Sequence, residues 1–130
     1  AMVTYSNFGS VADGRAPVKL REAVKQLKKR NPTMIVDGEM QAHLAFDAEL
    51  LKKHHPFSDL ADGRANTFIF PNLSSSNIAY NLVKEIGNIP KIGPLVLGLK
   101  KPVHVLQLGA TVREIVDTVA IAVVDAQRGY

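Results

Sequence analysis

Apolar residues recur along this chain with helical and strand-like periods in alternation. An apolar, strand-like stretch, Val3-Thr4-Tyr5, follows directly on Ala1-Met2. A polar turn, Ala12-Asp13-Gly14-Arg15, precedes Pro17 at an expected helix start, where a missing N–H costs least. Leu20, Ala23, Val24 and Leu27 then fall at i, i+3, i+4 and i+7, one face of a helix. Asn31-Pro32 stops that helix. Met34-Ile35-Val36 reads as a short buried strand ending at Asp37-Gly38, while residues 39–46 favour neither period. Residues 47–53 read as a short helix capped by Asp47 and broken by His54-His55-Pro56.

The second half repeats the alternation. A turn at Ala61-Asp62-Gly63-Arg64 leads into an expected strand, Thr67-Phe68-Ile69-Phe70, which Pro71-Asn72 ends. A helix follows with Ile78, Leu82 and Ile86 on one stripe, closed by Gly87-Asn88. Two more strand-like runs are Leu95-Val96-Leu97 and Val103 to Leu106. The last helix is the clearest. Thr111 and Glu114 have the spacing of a capping box, and Val112, Ile115, Val116, Val119 and Val123 predict a buried stripe. Alternating strands and helices predict an α/β sandwich with a largely parallel sheet. The pentapeptide ADGRA occurs at 12–16 and 61–65 but precedes a helix once and a strand once. It reads as two similar turns, not as a structural repeat.

Composition narrows the class. The chain has 130 residues, room for one compact domain. Hydrophobic residues at 46% suffice for a core, which argues against disorder. No apolar run approaches the ~20 residues that span a bilayer, no basic-then-apolar leader opens the chain, and cysteine is absent. A cytoplasmic location is expected, with no membrane partner. The net charge of +4 could favour a polyanion, but the one dense basic run, Lys28-Lys29-Arg30, falls where a helix ends and cations complement the macrodipole. Three Tyr, five Phe and no Trp leave little for base stacking. A small anionic ligand is therefore expected in place of nucleic acid. Ala1 ahead of Met2 resembles a cloning remnant, so the chain is expected to be a piece of a longer protein.

Candidate chemistry concentrates at strand ends. In NTFIFPNLSSSN (66–77), Ser74, Ser75, Ser76 and Asn77 lie where a helix begins after a buried strand. Open α/β sheets bind ligands there, and helix N-termini offer N–H groups to anions. The same residues would serve equally well as a cap. Ser6, Asn7 and Ser10, in YSNFGS, could cradle a phosphate or simply turn the chain. No dinucleotide or Walker pattern is present. His43, His54, His55 and His104 lack ligand spacing, so no metal is expected. Asp37 and Glu39 flank a glycine, which favours a turn over a catalytic carboxylate pair.

Taken together, YSNFGS (5–10), VDGEMQ (36–41), GRANTFIFPNLSSSNIAYNLVKEIG (63–87), IGPLVLGLKKPVHVLQLGATVREIV (92–116) and AVVDAQ (122–127) resemble the phosphate acetyltransferase family across nearly the whole chain. PVHVLQ and VVDAQ look like the phosphotransacetylase-like domain fused behind the malic enzyme module of large bacterial malic enzymes. The resemblance implies a three-layer α/β/α fold related to the isocitrate and isopropylmalate dehydrogenases. It implies that residues 1–130 form the C-terminal part of that domain, with the malic enzyme module and the domain's N-terminal part lying elsewhere.

One departure bears on chemistry. Active phosphotransacetylases place a Ser-Arg pair before the glycine matched by Gly109, and an Asp a few residues on. Here the matching residues are Gln107, Leu108 and Glu114. An alkyl group cannot replace a guanidinium on phosphate oxygens, so acyl transfer is expected to be lost. Binding of acetyl-coenzyme A through Ser6, Asn7, Ser10, Ser74, Ser75, Ser76, Asn77, Lys101 and Gln107 is expected to survive. The resemblance further implies no cofactor in this domain, and a parent that uses NADP and Mg or Mn to decarboxylate malate oxidatively to pyruvate. Acetyl-coenzyme A would inhibit that parent, whose own malic enzyme module and further copies of the chain would be partners. An active acetyltransferase and a purely structural dimerisation module are the alternatives.

Overall fold

Met2 and Val3 are consecutive and both buried, and strand neighbours point to opposite faces of a sheet, so each anchors a different core. In a computed structural model describing residues 1–128, β1 (Met2–Val3) pairs in parallel with β2 (Gly38–Met40), Met2 opposite Gly38 and Val3 opposite Met40. Ile69 joins Met2 by a single parallel bridge on the other side. Val3 N donates to Ile69 O and Ile69 N to Ala1 O, both at 2.9 Å. Parallel strands need a crossover, and α1 (Arg15–Arg30) supplies it. Its Leu20 and Val24 pack with Met2 and Val36. Across the sheet, Val3 and Met40 pack with Leu44 and Ala45 of α2 (Ala42–Phe46), Leu51 of α3 (Ala48–His54) and Leu60. Helix, parallel strands and helix thus form the α/β layering expected from the sequence.

Leu51 is 1% exposed at the centre of the second cluster. Leu51→Ala should cost roughly 2–5 kcal/mol of stability, because the freed volume collapses only in part. A urea midpoint unchanged from wild type would contradict this packing.

The chain divides into two compact units, Ala1–Tyr80 and a second that begins at Asn81. Helix α4 (Leu73–Gly87) runs across that boundary, and α5 (Val112–Arg128) lies in the second unit.

Three expectations are corrected. The strand expected at 34–36 begins instead at Gly38, and Ile35 is 73% exposed. Pairing with β1 decides the position: Met2 N donates to Asp37 O and Thr4 N to Met40 O. Gly38 has φ +133°, and a Cβ there would lie 2.5 Å from Met2 O, so glycine is required. Second, residues 95–97 and 103–106 form no ladder among the described residues, and 67–70 contribute only the bridge at Ile69. Third, the stripe expected to be buried on α5 is exposed, Val112 at 78% and Val119 at 55%. The buried residue of α5 is Thr118, whose hydroxyl donates to Glu114 O at 2.7 Å. Ile78, Leu82 and Ile86 of α4 are likewise exposed. Periodicity identifies residues that share a face, not what covers that face.

Candidate functional site

The loop leaving β1 folds around a buried carboxylate. Glu39 is fully buried, and its Oε1 accepts from Ser6 Oγ at 2.7 Å, Gly9 N at 2.9 Å and Arg21 Nη1 at 2.8 Å. Burial pushes the Glu39 pKa up. Hydrogen bonds from Ser6 and Gly9, with the nearby Arg21 charge, outweigh that effect and hold it below its ordinary value. Ser6 is buried and also accepts from Val11 N at 3.1 Å. Asn7 Oδ1 accepts from Gln41 N at 2.7 Å, and Ser10 Oγ from Asn7 N at 2.9 Å. Thus Ser6, Asn7 and Ser10 bond within the loop and to the strand beneath it. Gly9, with φ +90°, lets its N–H turn inward to Glu39.

At the start of α4 the capping residue is Asn72. Its Oδ1 accepts from Ser75 N at 2.9 Å and from Ser75 Oγ at 3.1 Å. Ser76 Oγ donates back to Leu73 O at 2.9 Å, while Ser74 and Asn77 lie on the exposed surface. A cleft of about 290 Å³ opens at this end of the sheet, lined by Val3, Thr4, Tyr5, Ala42, Phe70, Pro71 and Ser75. Thr4 Oγ1 is buried there without a hydrogen-bond partner. Of the expected ligand residues in this unit, Ser75 alone lines that cleft.

A second cleft, about 280 Å³, belongs to the second unit and gathers Gln107, Leu108 and Glu114 with Lys91. Lys91 Nζ lies 3.4 Å from Gln107 Oε1 and 3.6 Å from Glu114 Oε1. The other oxygen of Glu114 accepts from Thr111 N at 2.7 Å and Thr111 Oγ1 at 3.0 Å, while Glu114 N donates to Thr111 Oγ1 at 3.2 Å. The capping box read from the sequence is therefore present. The Thr111 N–H and hydroxyl, followed by the charge of Lys91, hold the Glu114 pKa below its ordinary value. Leu108 is fully exposed. Lys101 does not line this cleft. Sequence reasoning missed Lys91, Asn72 and Arg21, because a lone polar residue in a loop or on a helix face carries no period.

His55 lies 4.7 Å from the Phe8 ring and 5.7 Å from that of Phe57. Val96 N donates to His104 Nδ1 at 3.4 Å, and His104 Nε2 sits 3.9 Å from Asp125 Oδ2. Asp37 and Glu39 have different partners, Asp37 accepting from Gly38 N, Asp59 N and Lys28. Among the described residues no group of three or more His, Asp or Glu could hold a metal ion. Among them, too, no helix is long and apolar enough to cross a membrane.

Residues 1–123 match the phosphate acetyl/butaryl transferase family. The chain belongs to that family. It is 40% identical over 128 residues to an NADP-dependent malic enzyme of Haemophilus influenzae, covering 98% of this chain and 17% of that protein. It is 41% identical over 129 residues to a phosphate acetyltransferase of Clostridium acetobutylicum, covering 99% of this chain and 38% of that protein. A phosphotransacetylase structure from Streptococcus pyogenes superposes with a TM-score of 0.88 at 35% identity, over 98% of this chain and 39% of that one. The chain thus spans well under half of each relative, matching both the C-terminal region of malic enzymes and the phosphate acetyltransferases.

Proposed function

We propose that this chain is a regulatory and assembly domain of an NADP-dependent malic enzyme, that it does not transfer acetyl groups, and that acetyl-coenzyme A binds it as an inhibitor. One observation carries the reading. In the Gln107 cleft, Leu108 occupies the position where the resemblance puts the arginine of a working transferase, and its side chain is fully exposed. An alkyl group offers no stabilisation to charge developing on an acyl phosphate. The cleft retains Lys91, Gln107 and the capped start of α5, a set suited to holding an anion without the fork geometry that aligns it for transfer. The exposed apolar stripes of α4 and α5 support a role in assembly with further copies of the chain.

A ligand regulates only through unequal affinity for two states of the protein. Acetyl-coenzyme A titrated into the whole protein should lower malate-dependent NADPH production. At ~100 times its dissociation constant it should also stabilise the fold by roughly 2.7 kcal/mol in a melting experiment. Unaltered NADPH production with an unaltered melting curve would sink the regulatory reading and leave a structural module.

A second reading, acetyl transfer between phosphate and coenzyme A, draws on the likeness to phosphate acetyltransferases and on the cation that Lys91 brings beside Gln107.

A further inference from the structure

We propose that Lys91 is the anion-contacting residue of the Gln107 cleft and that Glu114 is its built-in competitor, so that a phosphate oxyanion binds by drawing the Lys91 ammonium away from the Glu114 carboxylate. The inference rests on the cleft being the acyl-coenzyme A site and adds the residue and the exchange of charge that operate it.

Three observations converge on Lys91. Its side chain lines the cleft and is only 20% exposed. Its contacts are loose: 3.6 Å to Glu114 Oε1 exceeds hydrogen-bond range, and 3.4 Å to Gln107 Oε1 lies at its limit. An ammonium has three N–H donors, and neither contact uses one well. Lys84, which also lines the cleft, is by contrast paired with Glu85 at 2.8 Å. Lys91 is therefore poised to exchange partners.

Glu114 is built to release it. One carboxylate oxygen is fixed by Thr111 N and Thr111 Oγ1, which anchors the side chain to the start of α5 whether or not Lys91 is present. The other oxygen is the one that lies 3.6 Å from the ammonium. Losing a long, partly solvated ion pair costs little, whereas a phosphate oxygen accepts a short charge-assisted bond that Glu114 does not reach. Gln107 can turn its amide N–H₂ toward the same anion, since its carbonyl is what now meets Lys91. A neutral acyl group has no such claim on the ammonium. The cleft thus selects the phosphate end of a ligand, and Glu114 sets the threshold by competing for the same cation.

The test is calorimetric titration of inorganic pyrophosphate and, separately, of acetyl-coenzyme A into the whole protein and three variants. Lys91→Gln should weaken both ligands about tenfold or more, the loss of one charge-assisted contact. Lys91→Arg should stay within about threefold of wild type, since the charge is kept. Glu114→Gln should tighten both about threefold, because glutamine preserves the cap while removing the competing charge. Unchanged acetyl-coenzyme A binding in Lys91→Gln would overturn the inference and leave the regulatory reading standing. Weaker binding in Glu114→Gln would overturn it as well. Pyrophosphate binding that depends on Lys91, with no acetyl-coenzyme A binding, would uphold the anion site and remove its proposed ligand. Binding of neither by the wild type would overturn the inference.

Discussion

Glu39→Ala should be among the most destabilising single substitutions in the chain, costing roughly 3 kcal/mol. The mutation removes a fully buried carboxylate and strands three donors, Ser6 Oγ, Gly9 N and Arg21 Nη1, that converge on it. Arg21 is 31% exposed and keeps partial hydration, which holds the loss to the lower end of the range for a broken buried pair. Arg21 also donates to Val11 O and Ala12 O, so the loop from Ser6 to Ala12 should loosen with it. Chemical denaturation would measure the loss, and hydrogen exchange at Gly9 and Val11 would locate it. Wild-type protection there would refute the role assigned to Glu39.

The same group sets an acid limb. Glu39 has a lower pKa folded than unfolded, so the unfolded chain takes up its proton more readily. The stability it contributes is complete above its ordinary carboxylate pKa and is lost as pH falls through the lowered folded value. Glu39→Gln should therefore be less stable than wild type at neutral pH and show a flatter decline on acidification. Parallel acid limbs in the two proteins would contradict this.

Incubated with acetyl-coenzyme A and phosphate, the whole protein should form acetyl phosphate at least about a hundredfold more slowly than an active phosphate acetyltransferase assayed beside it. The expected deficit follows from Leu108. Removing a single donor aimed at developing charge typically costs on the order of a hundredfold to a thousandfold in rate, and under the proposed function an aliphatic chain stands where an active enzyme would place a permanent cation. Lys91 does not repair it, because an ammonium is a point charge and cannot grip two oxygens in a fixed plane. Turnover within about tenfold of the active enzyme would overturn the proposed function and favour the acetyltransferase reading.

Much of the fold was legible because helices are written locally. Leu20, Val24 and Leu27 announced α1, and Thr111 with Glu114 announced α5, through contacts only a few residues apart. Asp47, whose place before the 47–53 run predicts a cap, accepts from Leu50 N. Strand placement was legible only as composition. Met34-Ile35 is apolar enough for a strand, yet the ladder starts at Gly38 because the partner of Met2 and Val3 must match their hydrogen-bonding edge, and no local pattern states that register.

For the candidate site the division is sharper. The residue series alone determined the α/β class and announced α1, α3, α4 and α5, while α2 lay in a segment that favours neither period. Tertiary structure alone decided that Ser6 turns inward to a carboxylate 33 residues away and that Lys91 meets Gln107 16 residues on. The physical reason is the range of the forces. Helix periodicity and capping act within one or two turns, so a short window contains cause and effect together. A buried charge or an orphaned N–H is satisfied by whichever partner the folded chain brings within about 3 Å, and sequence distance has no say in that choice.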